Sequence, residues 1–145
     1  MIRWILLALL LAIAPATAQS LGGADPQVLA AFARQEGLRD VPAFVATVRS
    51  LRESGHLPDA YVTKQAAAAH GWHGGRLCEA WPGHVIGGDL FDNSRRQLPV
   101  NPGRVWREAD LDETCRSRGP ERLIFSNDGL IYLTVDHYRR FAPVP

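Results

Sequence analysis

Apolar side chains at helical spacing mark the N-terminal half of the chain. The clearest run covers residues 42–54 and contains Phe44, Val45, Val48 and Leu51. Pro42 suits the first turn of a helix, and Gly55 suits the left-handed position that follows the last one. The pattern therefore predicts an amphipathic helix over residues 42–54.

Weaker helical patterns flank this segment. Residues 28–36 (VLAAFARQE) favour a short helix that ends at Gly37. Thr63 can cap a second short helix over residues 64–70 (KQAAAAH), because its hydroxyl can accept a hydrogen bond from an amide of the first turn. A single helical turn is expected near residues 77–80, inside a glycine-rich loop.

After about residue 85, short β-favouring runs alternate with turn residues. The runs ERLIFS and LIYLTV are joined by residues 127–129 (NDG), a strong hairpin signal. In the run VWREADL, strand alternation places Trp106, Glu108 and Asp110 on one face. Helices followed by antiparallel strands predict an α+β fold.

The N-terminus has the three parts of a secretory signal peptide. Arg3 supplies the positive start, residues 4–14 are almost wholly apolar, and residues 16–18 (ATA) form a small-residue cleavage signal. A membrane anchor is the alternative, but the apolar run is short for a spanning helix and Pro15 interrupts it. We therefore interpret residues 1–18 as a cleavable leader.

Cleavage after Ala18 would release a secreted or periplasmic protein that has no membrane attachment. Residues 19–41 then form an N-terminal extension of the mature chain, and residues 42–145 form its domain.

With 46% hydrophobic and 21% charged residues, the chain is neither generally disordered, nor collagen-like, nor a multi-span membrane protein. Loss of the leader removes one of 16 basic and none of 15 acidic residues, which leaves no net charge. A nucleic-acid ligand would therefore need a local basic cleft.

The two cysteines are Cys78 and Cys115. An even count in an oxidising compartment favours one disulfide, with two unpaired thiols as the alternative. Zinc ligation is disfavoured, because the cysteines lack a Cys-x-x-Cys spacing and ordered histidine partners. His70, His73 and His84 also form no recognised metal motif, so we expect neither a metal nor a cofactor.

Five residues are candidates for chemistry. Glu108 lies in a strand-like run, and His137 lies just past the last strand. Lys64, the only lysine, is predicted in a first helical turn, where a cation opposes the helix dipole. Arg118 and Arg122 flank a turn and could clamp a phosphate. Spacing alone leaves open whether these are functional or ordinary surface residues.

Several ordered blocks resemble the barnase-like, guanyl-preferring bacterial ribonucleases. The blocks are LPDAYVTKQAAAAHGW (57–72), IGGDLFDN (86–93), LP (98–99), GRVWREADL (103–111) and ERLIFSNDGLIYLTVDHY (121–138). The match covers about residues 42–143, so it implies that residues 42–145 are a ribonuclease domain. It also implies a fold in which N-terminal helices pack on a five-stranded antiparallel sheet.

On that fold, a disulfide would join the segment after the second helix to the loop before the third strand. Its reduction should lower the melting temperature without abolishing the chemistry.

The resemblance also implies roles for the five candidates. Glu108 falls at the general base, His137 at the general acid and Lys64 at the active-site lysine, while Arg118 and Arg122 fall at phosphate-binding arginines. A reaction of this type splits RNA through a 2′,3′-cyclic phosphate, which is then hydrolysed, and it uses no metal. The alternative is a catalytically weak RNA- or nucleotide-binding domain on the same fold.

The base-recognition loop departs from the family pattern. The family places an arginine and then a glutamate where this chain has Ser94 and Arg95. Because an arginine only donates hydrogen bonds, Arg95 cannot replace a carboxylate that accepts from guanine. The resemblance thus supports RNA cleavage more firmly than guanine preference. The residues it places at the substrate are Phe91, Asp92, Asn93, Ser94, Arg95 and Tyr138.

The resemblance also suggests partners. Besides the RNA substrate, we expect an acidic, barstar-like intracellular inhibitor that covers the basic cleft and protects the producing cell. We expect the enzyme itself to be a monomer.

Overall fold

A computed structural model describes residues 25–115 and 118–145, so the predicted leader and the first residues of the extension lie outside the described part. The elements follow in the order α1 (Pro26–Gln35), α2 (Val41–Ser54), β1 (Tyr61–Val62), α3 (Lys64–Ala69), α4 (Leu77–Ala80), β2 (Val85–Leu90), β3 (Trp106–Asp110), β4 (Arg122–Ser126), β5 (Ile131–Thr134) and β6 (Ala142–Pro143). Within the described ranges, no helix is long and apolar enough to span a bilayer.

Each of the helices α1, α2 and α3 is preceded by a residue whose side chain accepts a hydrogen bond from an amide of the first turn. Asp25 accepts from the Gln27 amide at 2.8 Å, so α1 begins two residues before the predicted start at residue 28. Asp40 caps α2, which ends at Gly55 with φ of 76°, as the sequence predicts. Thr63 caps α3 as predicted, accepting from an amide at 3.2 Å.

Within residues 25–115 and 118–145, the sheet has six strands in the order β1-β2-β3-β4-β5-β6. Strands β2 to β6 pair antiparallel, which confirms the five-stranded antiparallel sheet that the resemblance implies. The difference is β1, a two-residue strand that pairs parallel with the edge of β2. It arises because the chain between α2 and α3 is extended where it passes this edge.

A bulge in β2 sets the register beside the future site. Gly87 pairs with Ala109 but Asp89 pairs with Glu108, so one residue is extra on β2. A Cβ at Gly87 would lie 2.5 Å from the Tyr61 ring, so only glycine fits there. The bulge places the Asp89 side chain on the same sheet face as Glu108.

The two faces of the sheet differ. One face carries Ala109, Leu123 and Leu133, which pack against the apolar faces of α1 and α2 in the main core. Because side chains alternate along a strand, the opposite face carries Trp106, Glu108 and Asp110 on β3, as predicted, beside residues of β4 and β5. Trp106 forms a second small core there with Leu98 and Ile124.

The predicted disulfide between Cys78 and Cys115 is confirmed, with a Cα–Cα distance of 5.6 Å and a sequence separation of 37. We expect its removal by Cys78→Ser with Cys115→Ser to lower the free energy of unfolding by about 3–4 kcal/mol on the chain-entropy model. Urea denaturation of the oxidised and double-serine proteins measures this loss. Equal stabilities would show that the cross-link does not restrict the unfolded chain.

The hairpin turn between β4 and β5 contains a pH-sensitive ion pair. Arg104 donates to Asp128 from Nε at 2.9 Å and from Nη2 at 2.7 Å, and Ser126 Oγ donates to the same carboxylate at 2.6 Å. These bonds, that of Arg104 first, lower the pKa of Asp128 from 3.8 to about 2. A depressed pKa contributes stability above the unfolded value that is lost as pH falls through the folded value.

We therefore expect Asp128→Asn to destabilise the protein at pH 7, and the difference from the wild type to shrink between about pH 4 and pH 2. Urea denaturation at several pH values measures this trend. Asp59→Asn, at an exposed turn outside the sheet, is the control. A difference between Asp128→Asn and wild type that stays constant down to pH 2 would contradict the expectation.

Candidate active site

Glu108 is a largely buried carboxylate held by two donors. It lies in the middle of β3 and is 9% exposed. Lys64 Nζ donates to Oε1 at 3.1 Å, and the Tyr138 hydroxyl donates to Oε2 at 2.5 Å. Burial and then the Glu108 carboxylate raise the pKa of Tyr138, so its phenol stays protonated and keeps donating. The predicted base is therefore oriented by a lysine and a tyrosine from two other segments.

The position of Lys64 at the start of α3 is explained by tertiary contacts. Its backbone amide donates to the Asp89 carboxylate at 3.0 Å, and its side chain reaches Glu108. Asp89 therefore supplies the negative charge that suits a helix N-terminus. The lysine side chain is 44% exposed, so its ammonium can also face a ligand.

Arg118 and Arg122 converge on one buried carboxylate, that of Asp110. Arg118 donates to both oxygens of Asp110, from Nε at 2.5 Å and from Nη2 at 3.0 Å, and these bonds raise its pKa. Arg122 Nε lies 2.9 Å from Asp110 Oδ1, an ion-pair contact, and its Nη1 donates to the carbonyls of Gly119 and Glu121. The turn between the two arginines thus places both guanidinium groups side by side, as a phosphate clamp requires.

His137 lies on an open cleft of about 940 Å³ beside both arginines. Gly74, Gly75 and Arg76 also line this cleft. His137 is exposed, and its ring centroid is 4.8 Å from that of Tyr138, which itself contacts Glu108. His137, the two arginines and Glu108 are therefore neighbours along one face of the sheet.

The backbone at His137 and Tyr138 is strained into a specific shape. Both residues have positive φ, 56° and 70°, a conformation that costs side-chain-bearing residues about 1–3 kcal/mol each. Asp136 holds the turn, because its Oδ1 accepts from the amides of Arg139 and Arg140 at 3.0 Å. From this turn His137 lines the cleft and the Tyr138 hydroxyl reaches Glu108.

Comparison with known proteins identifies the family of this chain. The sequence profile of a family described as ribonuclease matches residues 45–145. The chain belongs to the ribonuclease family. Over 90 residues it is 49% identical to a ribonuclease of Heyndrickxia coagulans, covering 61% of this chain and 83% of that protein. It is 48% identical over 90 residues to ribonucleases of Bacillus intermedius and Bacillus pumilus, where the match spans 61% of this chain and 56% of each relative.

The predicted base-recognition loop of this ribonuclease is closed by its own contacts. Asn93 exchanges two hydrogen bonds with the Leu98 backbone, at 2.9 and 3.0 Å. Asp92 accepts from the Ser94 amide at 2.8 Å and from its hydroxyl at 2.9 Å, so both carboxylate oxygens are used within the loop. Arg95 is exposed. The loop thus presents backbone groups and a cation, while its one acid is already bonded.

The loop is also joined to the rest of the site. The Phe91 ring centroid lies 5.5 Å from that of Tyr138, and Gln97 Nε2 donates to the Tyr138 carbonyl at 3.2 Å. Tyr138 therefore links the predicted base-recognition loop to Glu108. An RNA nucleobase bound by this loop would therefore lie next to the cleft that contains His137.

Sequence reasoning gave no role to Asp89 and Asp110. Strand alternation already placed Asp110 on the same face as Glu108. Its two arginine partners come later in the chain, and they reach Asp110 only because β4 pairs with β3. The place of Asp89 beside Glu108 could not be predicted, because the bulge in β2 shifts the register by one residue.

Among the candidate metal ligands, His70 and His84 lie against the Trp81 ring, at centroid distances of 3.5 and 4.1 Å. Among the described residues, no cluster of three such side chains could hold a metal ion.

Proposed function

We propose that this ribonuclease is an endoribonuclease that cleaves single-stranded RNA by transesterification, with Glu108 as general base and His137 as general acid. The observation that supports this best is the position of the Glu108 carboxylate. It is largely buried, fixed by Lys64 and Tyr138, and lies on the sheet face that also holds the arginine pair. A positioned base beside a phosphate clamp suits a reaction whose nucleophile belongs to the substrate.

In the proposed first step, Glu108 takes the proton of the ribose 2′-hydroxyl, and the 2′-oxygen forms a bond to the adjacent phosphorus. The bond from phosphorus to the 5′-oxygen breaks, and His137 gives that oxygen a proton. The product is a 2′,3′-cyclic phosphate. In the second step the roles reverse. His137 takes a proton from water, whose oxygen forms a bond to phosphorus, while the bond from phosphorus to the 2′-oxygen breaks and Glu108 returns a proton to that oxygen, which leaves a 3′-phosphate.

Fixed cations stabilise the negative charge that develops on the phosphate. Lys64, Arg118, Arg122 and a protonated His137 provide four positive groups, against the carboxylates of Glu108 and Asp110. Because the side chains are held before substrate arrives, little reorganisation is needed in the transition state. We expect these side chains to make a metal unnecessary.

The test is an assay of the purified mature protein on an RNA oligonucleotide and on the matched DNA, with EDTA present. We expect cleavage of RNA alone and a product that carries a 2′,3′-cyclic phosphate. DNA lacks the nucleophile and should survive. If a filter-binding assay shows that the protein binds the RNA oligonucleotide while the cleavage assay shows no product, the proposal fails in favour of the RNA-binding alternative.

We propose that guanine is preferred, but weakly, because loop amides can read its acceptors while Arg95 cannot accept from its donors. We expect a dinucleotide panel to show faster cleavage after guanosine than after uridine. Arg95→Glu should widen that ratio by about tenfold or more, since a good bidentate contact to a base is worth about 1–3 kcal/mol. Arg139→Glu, at an exposed position outside the loop, is the control for charge alone. Equal rates for the two dinucleotides in the wild type would end the idea of guanine preference.

We also propose that residues 1–18 direct export and are removed, and that the mature enzyme, with residues 42–145 as its ribonuclease domain, is a secreted or periplasmic monomer. A producing cell risks its own RNA before export, so an acidic intracellular inhibitor that covers the cleft is a reasonable partner. N-terminal sequencing of the exported protein tests the cleavage, and size-exclusion chromatography tests the monomer. An affinity column that carries the His137→Ala protein tests for the inhibitor in lysate of the producing cell.

A further inference from the structure

The disulfide lies at the proposed active site rather than remote from it. Cys78 lies in α4, directly after the cleft wall that contains Gly74, Gly75 and Arg76. Cys115 lies three positions before Arg118, which also lines the cleft. The cross-link therefore joins two stretches of chain that both contribute residues to the cleft, one of them a phosphate-binding arginine.

The guanidinium of Arg118 is held between the same two parts of the molecule. On the sheet side it makes its two-bond contact with Asp110. On the other side it lies over the Trp72 ring, with 5.8 Å between the guanidinium carbon and the ring centroid. Trp72 in turn donates from Nε1 to the Gly75 carbonyl at 3.1 Å. The position of Trp72 relative to the sheet thus decides whether Arg118 can keep both contacts.

We infer that the Cys78–Cys115 disulfide is a positioning element for Arg118, so that cleavage depends on the redox state of the protein. This rests on the proposed function of Arg118 as a phosphate ligand. When a dithiol reductant exchanges with the disulfide, two cysteine thiols form, the reductant becomes a disulfide, and Cys115 is no longer tied to α4. The guanidinium of Arg118 is then free to leave the geometry that the phosphate requires. A low-molecular-weight disulfide oxidant reverses the exchange and restores the tie and the geometry.

The expected effect is moderate and specific. A displacement of about 1 Å at a catalytic group can cost up to 10²-fold, and Asp110 still holds the guanidinium at one end, so we expect reduction to lower kcat/KM by about tenfold. The general base and general acid keep their own contacts, so the pH dependence of the remaining activity should not change. A disulfide that only stabilised the fold would leave the kinetics of the folded protein unaltered.

The experiment is a cycle of variants measured as oxidised and as reduced, alkylated protein. It uses the mature wild type, Arg118→Gln and Lys64→Gln, at a temperature and urea concentration where circular dichroism shows every form to be folded. Cys78→Ser with Cys115→Ser replaces the reduced form where alkylation unfolds the protein. Lys64 is a second cation of the proposed active site, bound to Glu108 from α3 rather than from the cross-linked segments, and is the matched control.

We expect the ratio of oxidised to reduced kcat/KM to be about ten in the wild type and in Lys64→Gln, and close to one in Arg118→Gln. A ratio of one in the wild type, or the same ratio in Arg118→Gln as in the wild type, would overturn the inference. The proposed function is tested separately by His137→Ala. If that variant is inactive while the redox ratio is one, only the positioning role of the disulfide fails.

Discussion

Replacing His137 by alanine is expected to slow RNA cleavage by about 10²–10⁴-fold, the usual contribution of a positioned acid or base. His137 borders the same cleft as Arg118 and Arg122, and the strained turn that carries it directs its ring there. Without it, the departing 5′-oxygen must take its proton from water. Single-turnover cleavage of a dinucleotide, measured against pH, gives both the loss and the change in profile.

The same measurement separates the acid from the base. The wild type should show a bell-shaped profile, with Glu108 ionised and His137 protonated in the active form. His137→Ala should lose the alkaline limb, and Glu108→Ala should lose the acid limb with a similar reduction in rate. His56→Ala, an exposed histidine on a different pocket, is the control and should be unaffected. Cleavage by His137→Ala at the wild-type rate would refute the assignment.

Replacing Asp110 by alanine is expected to destabilise the protein by about 3–5 kcal/mol, as is typical when one partner of a buried ion pair is removed. The Asp110 side chain is 3% exposed, and that of Arg122 is 5% exposed. Without the carboxylate, two adjacent guanidinium groups would repel each other with little access to water. Urea denaturation measures the loss, and activity should fall as well because the clamp is no longer held.

Two further variants test this explanation. Asp110→Asn keeps the side-chain volume and removes the charge, so a loss close to that of Asp110→Ala would identify charge as the cause. Glu53→Gln breaks an exposed pair with Arg49, whose side chains are 51% and 58% exposed, and should change stability by less than about 0.5 kcal/mol. If Asp110→Ala costs as little as Glu53→Gln, the carboxylate does not hold the arginines.

Local patterns predicted much of the fold because their causes are local. The helix over residues 42–54 required only a proline, a repeating apolar face and Gly55, and α2 covers almost the same range. The hairpin at residues 127–129 follows from turn residues between two β-favouring runs. Helix α1 starts before residue 28 because Asp25 caps it and Pro26 is its first residue, and neither belongs to the apolar pattern that predicts the helix. Strand β1 gave no periodic signal, since it has two residues and depends on its pairing with β2.

The site was less accessible to such reasoning, since its contacts join distant segments. Lys64 and Glu108 are 44 positions apart, and Tyr138 follows Glu108 by 30. From spacing alone, each could be an ordinary surface residue. Resemblance to a family named them, and the residues named there do meet on one face of the sheet.

The sequence by itself determined the α+β class, the extent of the main helix with its end at Gly55, and the two cysteines available for a disulfide. These properties follow from propensity and residue type, which act over a few positions. Only the tertiary structure decided that Asp110 binds both arginines, that Asp89 holds the amide of Lys64, and that the disulfide joins α4 to the segment between β3 and β4. The physical reason is that strand pairing, the bulge in β2 and the strained turn at His137 fix these distances, and each depends on contacts between residues far apart in the chain.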